Sequence, residues 1–268
     1  LHYPLRRQRQ MCIRDSKEVP RSILILGGGA IGLAFATIFA RLGTSVAIAE
    51  KSTSILPEID RELVAPLERE LRKDKIRVYI EASLKAIEAG EGSEKRIILS
   101  AKGQEMTESA QHVLVANERK ANVDGLVLDK VGVSLRDGAI AVDKRMQTNV
   151  VGIFAAGDVA GKPMLAHVAF AQGRIAVENA LGKGAEMDYA IVPRCIYTSP
   201  EIASVGLTEQ EALAQGYQIK VGRFPFAANG VATIRAERTG MVKIISEVKY
   251  GQILGVHIIG PGAGDLIP

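Results

Sequence analysis

The spacing of apolar residues changes along the segment from residue 23 to residue 50. It is typical first of a strand, then of a turn, a helix and a second strand. The apolar run Ile23–Leu26 has the length of a buried strand, and the glycine-rich segment 27–32 follows it directly. A helical apolar face and a second apolar strand come next, and the second strand ends at Glu50. This order predicts a βαβ unit of a parallel sheet in an α/β fold.

The alternation continues beyond Glu50. Residues 60–73 carry apolar side chains at helical spacing, and a strand predicted at 76–80 completes a βαβαβ core. Short apolar segments separated by polar turns predict an antiparallel excursion over residues 84–108. The continuous apolar run 112–116 then returns, and its pattern is typical of a parallel strand that is buried on both faces.

A second nucleotide-type pattern begins near residue 148. The segment TNVVGIFAAGDVAG predicts a strand at 153–156 that ends at Gly157 and Asp158. A carboxylate at the carboxyl end of a parallel strand lies where α/β sheets bind ligands. The alternative is that Asp158 only caps the next segment. A helix is predicted for 167–181, and Gly182 ends it.

Beyond Asp188 the chain switches to an antiparallel pattern. A helix predicted at 208–215 has Thr208 as its N-cap and Glu211 in position to complete a capping box. This pattern predicts an α+β domain with an antiparallel sheet. The apolar segments that predict its strands are 195–197, 203–206, 217–226, 240–246 and 253–259.

Each glycine of the turn at 27–32 has its own mechanical reason. Gly27 allows a tight turn, Gly29 lets the backbone approach a pyrophosphate, and Gly32 lets the helix pack closely on the strand. The phosphates would then meet the N-terminus of the helix. The flanking apolar strand and helix face favour this dinucleotide site over a glycine turn in an unrelated α/β protein.

Glu50 indicates which dinucleotide is bound. It lies 23 positions after Gly27, at the end of the second strand, where a carboxylate can accept hydrogen bonds from both ribose hydroxyls. A 2′-phosphate would be repelled there, and the neighbouring Lys51 is a single cation where a phosphate pocket usually recruits arginine. The sequence therefore predicts NAD rather than NADP.

Length and composition fit a soluble protein of two modest domains, with 268 residues, 47% of them hydrophobic and 24% charged. Apolar runs are of strand length, so we expect no membrane span. Residues 1–16 hold four arginines and one aspartate, and so carry most of the net charge of +4. They show no amphipathic period. We interpret 1–19 as a non-native or fused leader rather than a nucleic-acid-binding arm or transit peptide, and expect no nucleic-acid partner.

The two cysteines, Cys12 and Cys195, share no motif. We expect no structural disulfide between them, and no CxxC or His/Cys cluster predicts a metal site. Cys195 lies in a predicted strand and is interpreted as a small buried hydrophobe. This usage of cysteine favours a reducing, cytoplasmic compartment.

Several strings carry a family resemblance over residues 20–268. They are GGGAIG with Glu50, TNVVGIFAAGDVAGKPMLAH, YTSPEIASVGLTEQEA, FPFAANG and ILGVHIIGPGAGDLI. On these strings the chain resembles the pyridine nucleotide–disulfide oxidoreductases, most closely their dihydrolipoamide dehydrogenase branch. The resemblance implies an NAD-binding domain at 20–145, the C-terminal part of an FAD-binding domain at 146–187, and a truncated dimerisation domain at 188–268.

The resemblance also implies which residues hold the cofactors. FAD would contact Asp158, which matches an acid that accepts a ribityl hydroxyl, and the backbone of Ala166 at a helix start, where the helix dipole stabilises the reduced-flavin anion. NAD would be held by the glycine turn, the acid and two neighbouring segments. The NAD positions are Gly27, Gly28, Gly29, Ala30, Ile31, Gly32, Glu50, Leu84, Ala116, Asn117, Glu118 and Arg119.

In an enzyme of this branch, electrons pass from the dihydrolipoamide of a partner protein to a cysteine pair, then to FAD and NAD⁺, within a homodimer. These 268 residues contain no CxxxxC pair and do not match the region of the family's His–Glu base. Thiol–disulfide exchange needs both. We therefore expect this chain to supply NAD binding, part of the FAD site and dimer contacts, and to be inactive alone.

Two other functions stay open. One is a different disulfide reductase, of the mercuric or glutathione type, although Glu50 disfavours the NADPH-using members. The other is an NAD-binding or partner-binding module without redox activity, which the missing cysteine pair favours for the isolated chain.

Some residues depart from the family pattern or invite a role that we do not assign. Ala34, Glu118 and Ala121 stand where the family usually has Glu, Gly and Pro, and Glu118 would weaken NAD binding by placing a negative side chain near the pyrophosphate. His167 begins a predicted helix, and His257 lies on an apolar strand. We predict backbone contact for His167 and core packing for His257 rather than catalysis.

Overall fold

The computed structural model describes residues 18–117, 119–161 and 163–268. The predicted leader at 1–19 lies almost entirely outside these residues. Packing divides the chain into two compact units, one formed by residues up to 117 together with 194–268, the other by residues 118–193. No helix in the part of the chain that the structure describes is both long and apolar enough to cross a membrane.

The first unit begins with a four-stranded parallel sheet. Its strands are β1 (Ser22–Leu26), β2 (Ser45–Ala49), β3 (Arg77–Tyr79) and β7 (His112–Val115), in the spatial order β3-β2-β1-β7. Helices α1 (Ala30–Arg41) and α2 (Arg61–Lys73) connect the first three strands. This is the strand order of a dinucleotide-binding half-fold, so the predicted βαβαβ core is confirmed.

Strand β7 differs from its prediction. It pairs in parallel with β1 but forms the edge of the sheet. Leu114 is its buried residue, whereas Val115 is 67% exposed. The prediction of a strand buried on both faces was therefore wrong, because an apolar run records hydrophobicity and not the number of neighbouring strands.

A three-stranded antiparallel meander lies between β3 and β7 in the chain. Its strands are β4 (Ala82–Ala89), β5 (Lys95–Ala101) and β6 (Gln104–Ala110), as the alternating pattern predicted. Apolar residues of the meander pack with those of β1 and β2 in one cluster, separate from the one that contains the helices α1 and α2. The meander therefore supplies its own apolar layer to the parallel sheet. This cluster consists of Leu24, Leu26, Ala47, Ala49, Ala82, Ile97, Leu99 and Ala110.

Residues 194–268 form a five-stranded antiparallel sheet in the order β10-β11-β14-β13-β12. The strands are β10 (Arg194–Ile196), β11 (Glu201–Gly206), β12 (Ile219–Pro225), β13 (Met241–Glu247) and β14 (Ile253–Gly260). The short helices are α4 (Glu209–Ala214), α5 (Gly230–Ile234) and α6 (Ala263–Leu266). Thr208 and Glu211 form both hydrogen bonds of the predicted capping box on α4.

The two segments of the first unit share one core. Ile196, Ile202 and Ile259 of the antiparallel sheet belong to the same buried cluster as Ile23 and Leu63 of the nucleotide-type fold. The sheet is therefore packed against the βαβαβ core as part of a single folded body.

The second unit is built around helix α3 (Ala166–Ala180), which begins and ends one residue before its predicted bounds. Strands β8 (Leu135–Arg136) and β9 (Ala139–Ile140) form a short hairpin. The predicted strand at 153–156 is wrong, since Phe154 makes an isolated bridge to Gln147 and no ladder extends from it. Its apolar residues pack into a small core instead of joining a sheet.

Candidate dinucleotide site

The glycine turn after β1 is held by backbone contacts that leave no room for side chains. Gly27 has φ +115° and donates its N–H to the carbonyl oxygen of Ala49 at 2.9 Å. A β-carbon on Gly27 would lie 2.7 Å from the carbonyl oxygen of Ala116, and one on Gly32 would overlap the carbonyl oxygen of Gly27. Both glycines are therefore required for close backbone packing.

Gly29 has a different environment from its two neighbours. It is the N-cap of α1, in extended backbone, and a β-carbon there would meet nothing within 4 Å. A glycine offers no side chain to cap the helix, so no N-cap side chain bonds the first N–H groups of α1. An open glycine at the positive end of a helix dipole fits a pyrophosphate group. Ala30 and Ile31 form the first turn of this helix.

Glu50 reaches back to the glycine turn. Its Oε2 accepts a hydrogen bond from the Gly28 N–H at 2.6 Å, and its Oε1 accepts one from the Ser52 N–H at 2.8 Å. Burial alone would raise the pKa of this carboxyl, but hydrogen bonds from the Ser52 and Gly28 backbone outweigh that effect and lower it. The carboxylate is therefore ionised at neutral pH. It keeps further acceptor capacity for hydroxyl donors.

The loop after β2, residues 51–59, packs against the glycine turn. The Leu56 N–H donates to the carbonyl oxygen of Gly28 at 3.2 Å, and a β-carbon on Gly28 would lie 2.9 Å from Cγ2 of Ile55. Both Ile55 and Leu56 are fully buried. Sequence reasoning did not identify this support, because residues 51–59 follow neither a helical nor a strand period.

The remaining predicted NAD residues divide between the two units. Ala116 and Asn117 lie against the glycine turn, with the Ala116 N–H bonded to the Leu26 carbonyl oxygen at 2.8 Å. Leu84 lies in β4 at a register shift against β5 and is partly exposed. Arg119 belongs to the second unit, and Glu118 lies outside the described residues.

The two predicted flavin residues lie in the second unit. Asp158 begins a 3₁₀ turn after Gly157, and its Oδ2 accepts a hydrogen bond from Nη1 of Arg119 at 3.1 Å. Arg119 also donates to the carbonyl oxygen of Met164. Ala166 is the first residue of α3, and its N-cap is Leu165, whose apolar side chain cannot accept a hydrogen bond. Asp158 is half-exposed and keeps acceptor capacity, so its carboxylate fits a ligand that carries hydroxyl groups.

His257 is buried, as predicted, whereas Cys195, which was predicted to be a small buried hydrophobe, is only partly buried. Nε2 of His167 lies 2.9 Å from the carbonyl oxygen of Pro193, and Nε2 of the buried His257 lies 2.9 Å from that of Leu207. Cys195 is partly buried, and burial together with Glu201 and Asp265 raises the pKa of its thiol. A thiol held protonated in this way is a poor nucleophile.

A parallel sheet in this strand order, a glycine turn before an open helix N-terminus, and an acid at the end of β2 define a dinucleotide-binding protein. Residues 7–173 match the family described as pyridine nucleotide-disulphide oxidoreductase, and residues 192–268 match the dimerisation domain of the same family. The chain belongs to the pyridine nucleotide-disulphide oxidoreductases. The match begins at residue 7, within the segment predicted to be a leader.

Curated relatives are similar along nearly the whole chain. A dihydrolipoyl dehydrogenase of Bacillus subtilis is 40% identical over 261 residues, which cover 95% of this chain and 56% of the relative. One from Thermus scotoductus is also 40% identical, over 95% of this chain and 56% of the relative. A leghemoglobin reductase of Glycine max is 38% identical over 93% of this chain and 48% of its own length. The chain thus spans about half the length of the relatives it matches.

Solved structures agree with the sequence relatives on the fold. LpdA from Mycobacterium tuberculosis has a TM-score of 0.87 and 29% identity, covering 94% of this chain and 55% of LpdA. The HOCl-induced flavoprotein disulfide reductase RclA from Escherichia coli has a TM-score of 0.84 and 27% identity, covering 95% of this chain and 58% of RclA. The fold prediction, an NAD-type α/β domain with part of an FAD-type domain and an antiparallel dimerisation-type sheet, is confirmed.

Proposed function

We propose that this chain is the NAD-binding and dimer-forming portion of a flavin-dependent dihydrolipoyl dehydrogenase. Identity near 40% to enzymes of that name supports the proposal. The observation that carries it is the Glu50 carboxylate, ionised and bonded to Gly28 beside the open N-terminus of α1. This arrangement offers an anion-binding helix end beside a hydroxyl acceptor, the two groups that a dinucleotide site needs.

Each group has a defined task in this proposal. The backbone from Gly27 to Gly32 receives the pyrophosphate, Glu50 accepts the ribose hydroxyls, and the edge formed by Ala116 and Asn117 closes the turn. Asp158 and the N-terminus of α3 belong to the FAD site, with Arg119 orienting the Asp158 carboxylate. These residues would hold NAD⁺ and FAD, which would supply the chemistry of hydride transfer between flavin and nicotinamide.

The domain limits proposed from sequence, 20–145, 146–187 and 188–268, remain the functional division that we favour. The parent enzyme would act as a cytoplasmic homodimer, oxidising dihydrolipoamide carried by a partner protein. The dimerisation-domain match at 192–268 supports the homodimer.

The similarity to RclA supports one alternative, a different disulfide reductase of the same family. A reductase using NADPH would need cations at the end of β2, whereas Glu50 is an anion there. The other alternative is an NAD-binding or partner-binding module without redox chemistry. It is supported by the absence of a CxxxxC pair from the sequence.

Calorimetric titration with NADH and NADPH tests the proposal. We expect NADH to bind more tightly than NADPH, and Glu50→Ala to narrow the ratio of the two dissociation constants by about tenfold, the size of one charge-assisted hydrogen bond. Glu50→Gln is the matched control, because it keeps an acceptor for the Gly28 N–H without the charge. Equal or tighter binding of NADPH by the unmodified chain would overturn the assignment of Glu50.

A further inference from the structure

Lys243 lies in β13 with a side chain that is only 2% exposed. Its Nζ donates to Oδ2 of Asp60 at 2.7 Å and to Oε1 of Glu62 at 2.8 Å, and lies 2.7 Å from Oε2 of Glu209. Asp60 and Glu62 come from the N-terminal end of α2, and Glu209 from α4. One buried ammonium group therefore joins the antiparallel sheet to the nucleotide-type fold.

Arg223 extends the same cluster toward solvent. Its guanidinium binds Glu62 through two hydrogen bonds of 2.6 and 2.7 Å, and it also contacts Glu209 at 3.1 Å. Two cations thus face three carboxylates. Removing Lys243 leaves the buried Asp60 carboxylate without its cation, and this is costly, whereas Arg223 is at the exposed end, where an ion pair contributes little.

Asp60 has a second task that connects this cluster to the glycine turn. Its Oδ1 accepts a hydrogen bond from the Glu62 N–H at 2.9 Å, and so it caps α2 at the point where the loop 51–59 ends. The other oxygen of the same carboxylate binds Lys243. The end of the loop is therefore fixed by a side chain of the antiparallel sheet.

The loop in turn holds the dinucleotide site. Ser52 donates to Glu50, Leu56 donates to the carbonyl oxygen of Gly28, and Ile55 packs against Gly28. Asp60 follows the buried Ile59, whose N–H donates to the carbonyl oxygen of Leu56 at 2.9 Å, so a displacement of Asp60 would be transmitted through Ile59 to Leu56 and its neighbours in the loop. The glycine turn and Glu50 are therefore both held in position by contacts with the loop 51–59.

We propose that Lys243 is a positioning residue for the dinucleotide site: through Asp60 and the loop 51–59 it sets the positions of Gly28 and Glu50. The sheet that belongs to the dimerisation domain thereby controls the affinity and the selectivity of nucleotide binding. This inference rests on the proposed NAD binding and adds a residue that lies outside the predicted NAD positions.

The test compares Lys243→Met with Arg223→Met in the full chain. Both variants remove one cation from the cluster, but only the first releases Asp60. We expect Lys243→Met to weaken NADH binding by about tenfold and to narrow the NADH-to-NADPH preference, while Arg223→Met leaves the dissociation constant within about twofold. Circular dichroism melting establishes that each variant is folded.

Asp60→Asn provides a second route if Lys243→Met does not fold, because asparagine keeps the cap of α2 and loses the charge pair with Lys243. It should weaken NADH binding several-fold. Hydrogen exchange at the Ser52 and Leu56 amides should accelerate in either variant, and a purely structural role for Lys243 would not change these amides selectively.

The outcomes separate this inference from the proposed function. Absence of NADH binding by the unmodified chain overturns the proposed function, and this inference with it. If the unmodified chain binds NADH and the folded Lys243→Met or Asp60→Asn variant binds it equally well, only the positioning role is overturned. The same holds if Arg223→Met weakens binding as much as Lys243→Met.

Discussion

A β-carbon on Gly32 would overlap the carbonyl oxygen of Gly27, because the first turn of α1 lies directly against the glycine turn. Gly29, three residues earlier, borders open space. The two glycines therefore have separable tasks. Gly32 is needed for close packing of the helix, and Gly29 leaves open space beside the backbone, where we propose that the ligand binds.

Gly29→Ala and Gly32→Ala should separate folding from binding. Gly29→Ala should leave the melting temperature within a few degrees of the unmodified chain and weaken NADH binding by at least about tenfold, since its methyl group fills the space of the pyrophosphate. Gly32→Ala should destabilise the protein by about 2 kcal/mol or more, because α1 must move away from β1. Thermal melting measures the loss of stability, and calorimetry measures the loss of NADH binding. Gly173→Ala is the control, because a β-carbon at Gly173, like one at Gly29, would meet nothing within 4 Å.

Protonation of Glu62 should lower the free energy of unfolding in acid. The hydrogen bond from Arg223, helped by Lys243 and opposed by burial, lowers the pKa of this carboxyl from 4.5 to about 2. Because the folded pKa is depressed, its contribution is fully present above pH 4.5 and is lost as the pH falls through 2. Glu62→Gln should lower the free energy of unfolding at neutral pH by about 1 kcal/mol.

Denaturant titrations at pH 7, 4.5 and 3 measure this contribution. The difference between the unmodified chain and Glu62→Gln should shrink as the pH is lowered through this series. An equal difference at all three values would show that Glu62 does not titrate as the structure indicates.

We expect the chain to form a dimer through the antiparallel sheet, and we expect a single mutation on the exposed surface there to weaken this dimer. Ile234 on α5 is 87% exposed and Phe224 on β12 is 50% exposed, both within the segment that matches a dimerisation domain. Burying each in an interface contributes roughly 1.5–3 kcal/mol, so Ile234→Glu should weaken a dimer by tenfold or more. Sizing chromatography with light scattering gives the mass. Val151→Glu, at an exposed position outside this segment, should have no effect, and a monomeric unmodified chain would refute the dimer.

The purified 268-residue polypeptide should not reduce NAD⁺ with dihydrolipoamide. Its two cysteines, Cys12 and Cys195, cannot form a CxxxxC pair, and the raised pKa of the Cys195 thiol makes it a poor nucleophile. We also expect less than stoichiometric flavin absorbance. Cys195→Ser should behave identically in both measurements. A yellow, fully flavinated protein with turnover would contradict the prediction.

Local patterns predicted the elements whose signals lie within a few residues. The glycine turn and the acid at Glu50 were found because their spacing is a property of one βαβ unit, and the capping box at Thr208 and Glu211 because it spans three residues. The strand predicted at 153–156 failed for the opposite reason, since apolar residues there pack without a neighbouring strand to pair with.

The Lys243 cluster could not be predicted from sequence. A lysine in a strand normally faces solvent, and nothing near it in the chain marks it as buried. Its partners Asp60 and Glu62 are more than 180 residues away. In the sequence they simply fall at the start of the helix predicted for residues 60–73. Pairing across such a distance is a property of the tertiary fold, and one sequence does not record it.

The common core of Ile23, Leu63 and Ile259 makes the first unit a host into which residues 118–193 are inserted. Covalent order and spatial order therefore differ. A cleavage within the insert breaks the polypeptide but leaves both flanking segments in one noncovalent body, which tolerates changes of length in between. During synthesis, the apolar side chains of the nucleotide-type fold that pack against Ile259 stay uncovered until β14 has been made. Contacts between such distant parts of the sequence slow folding.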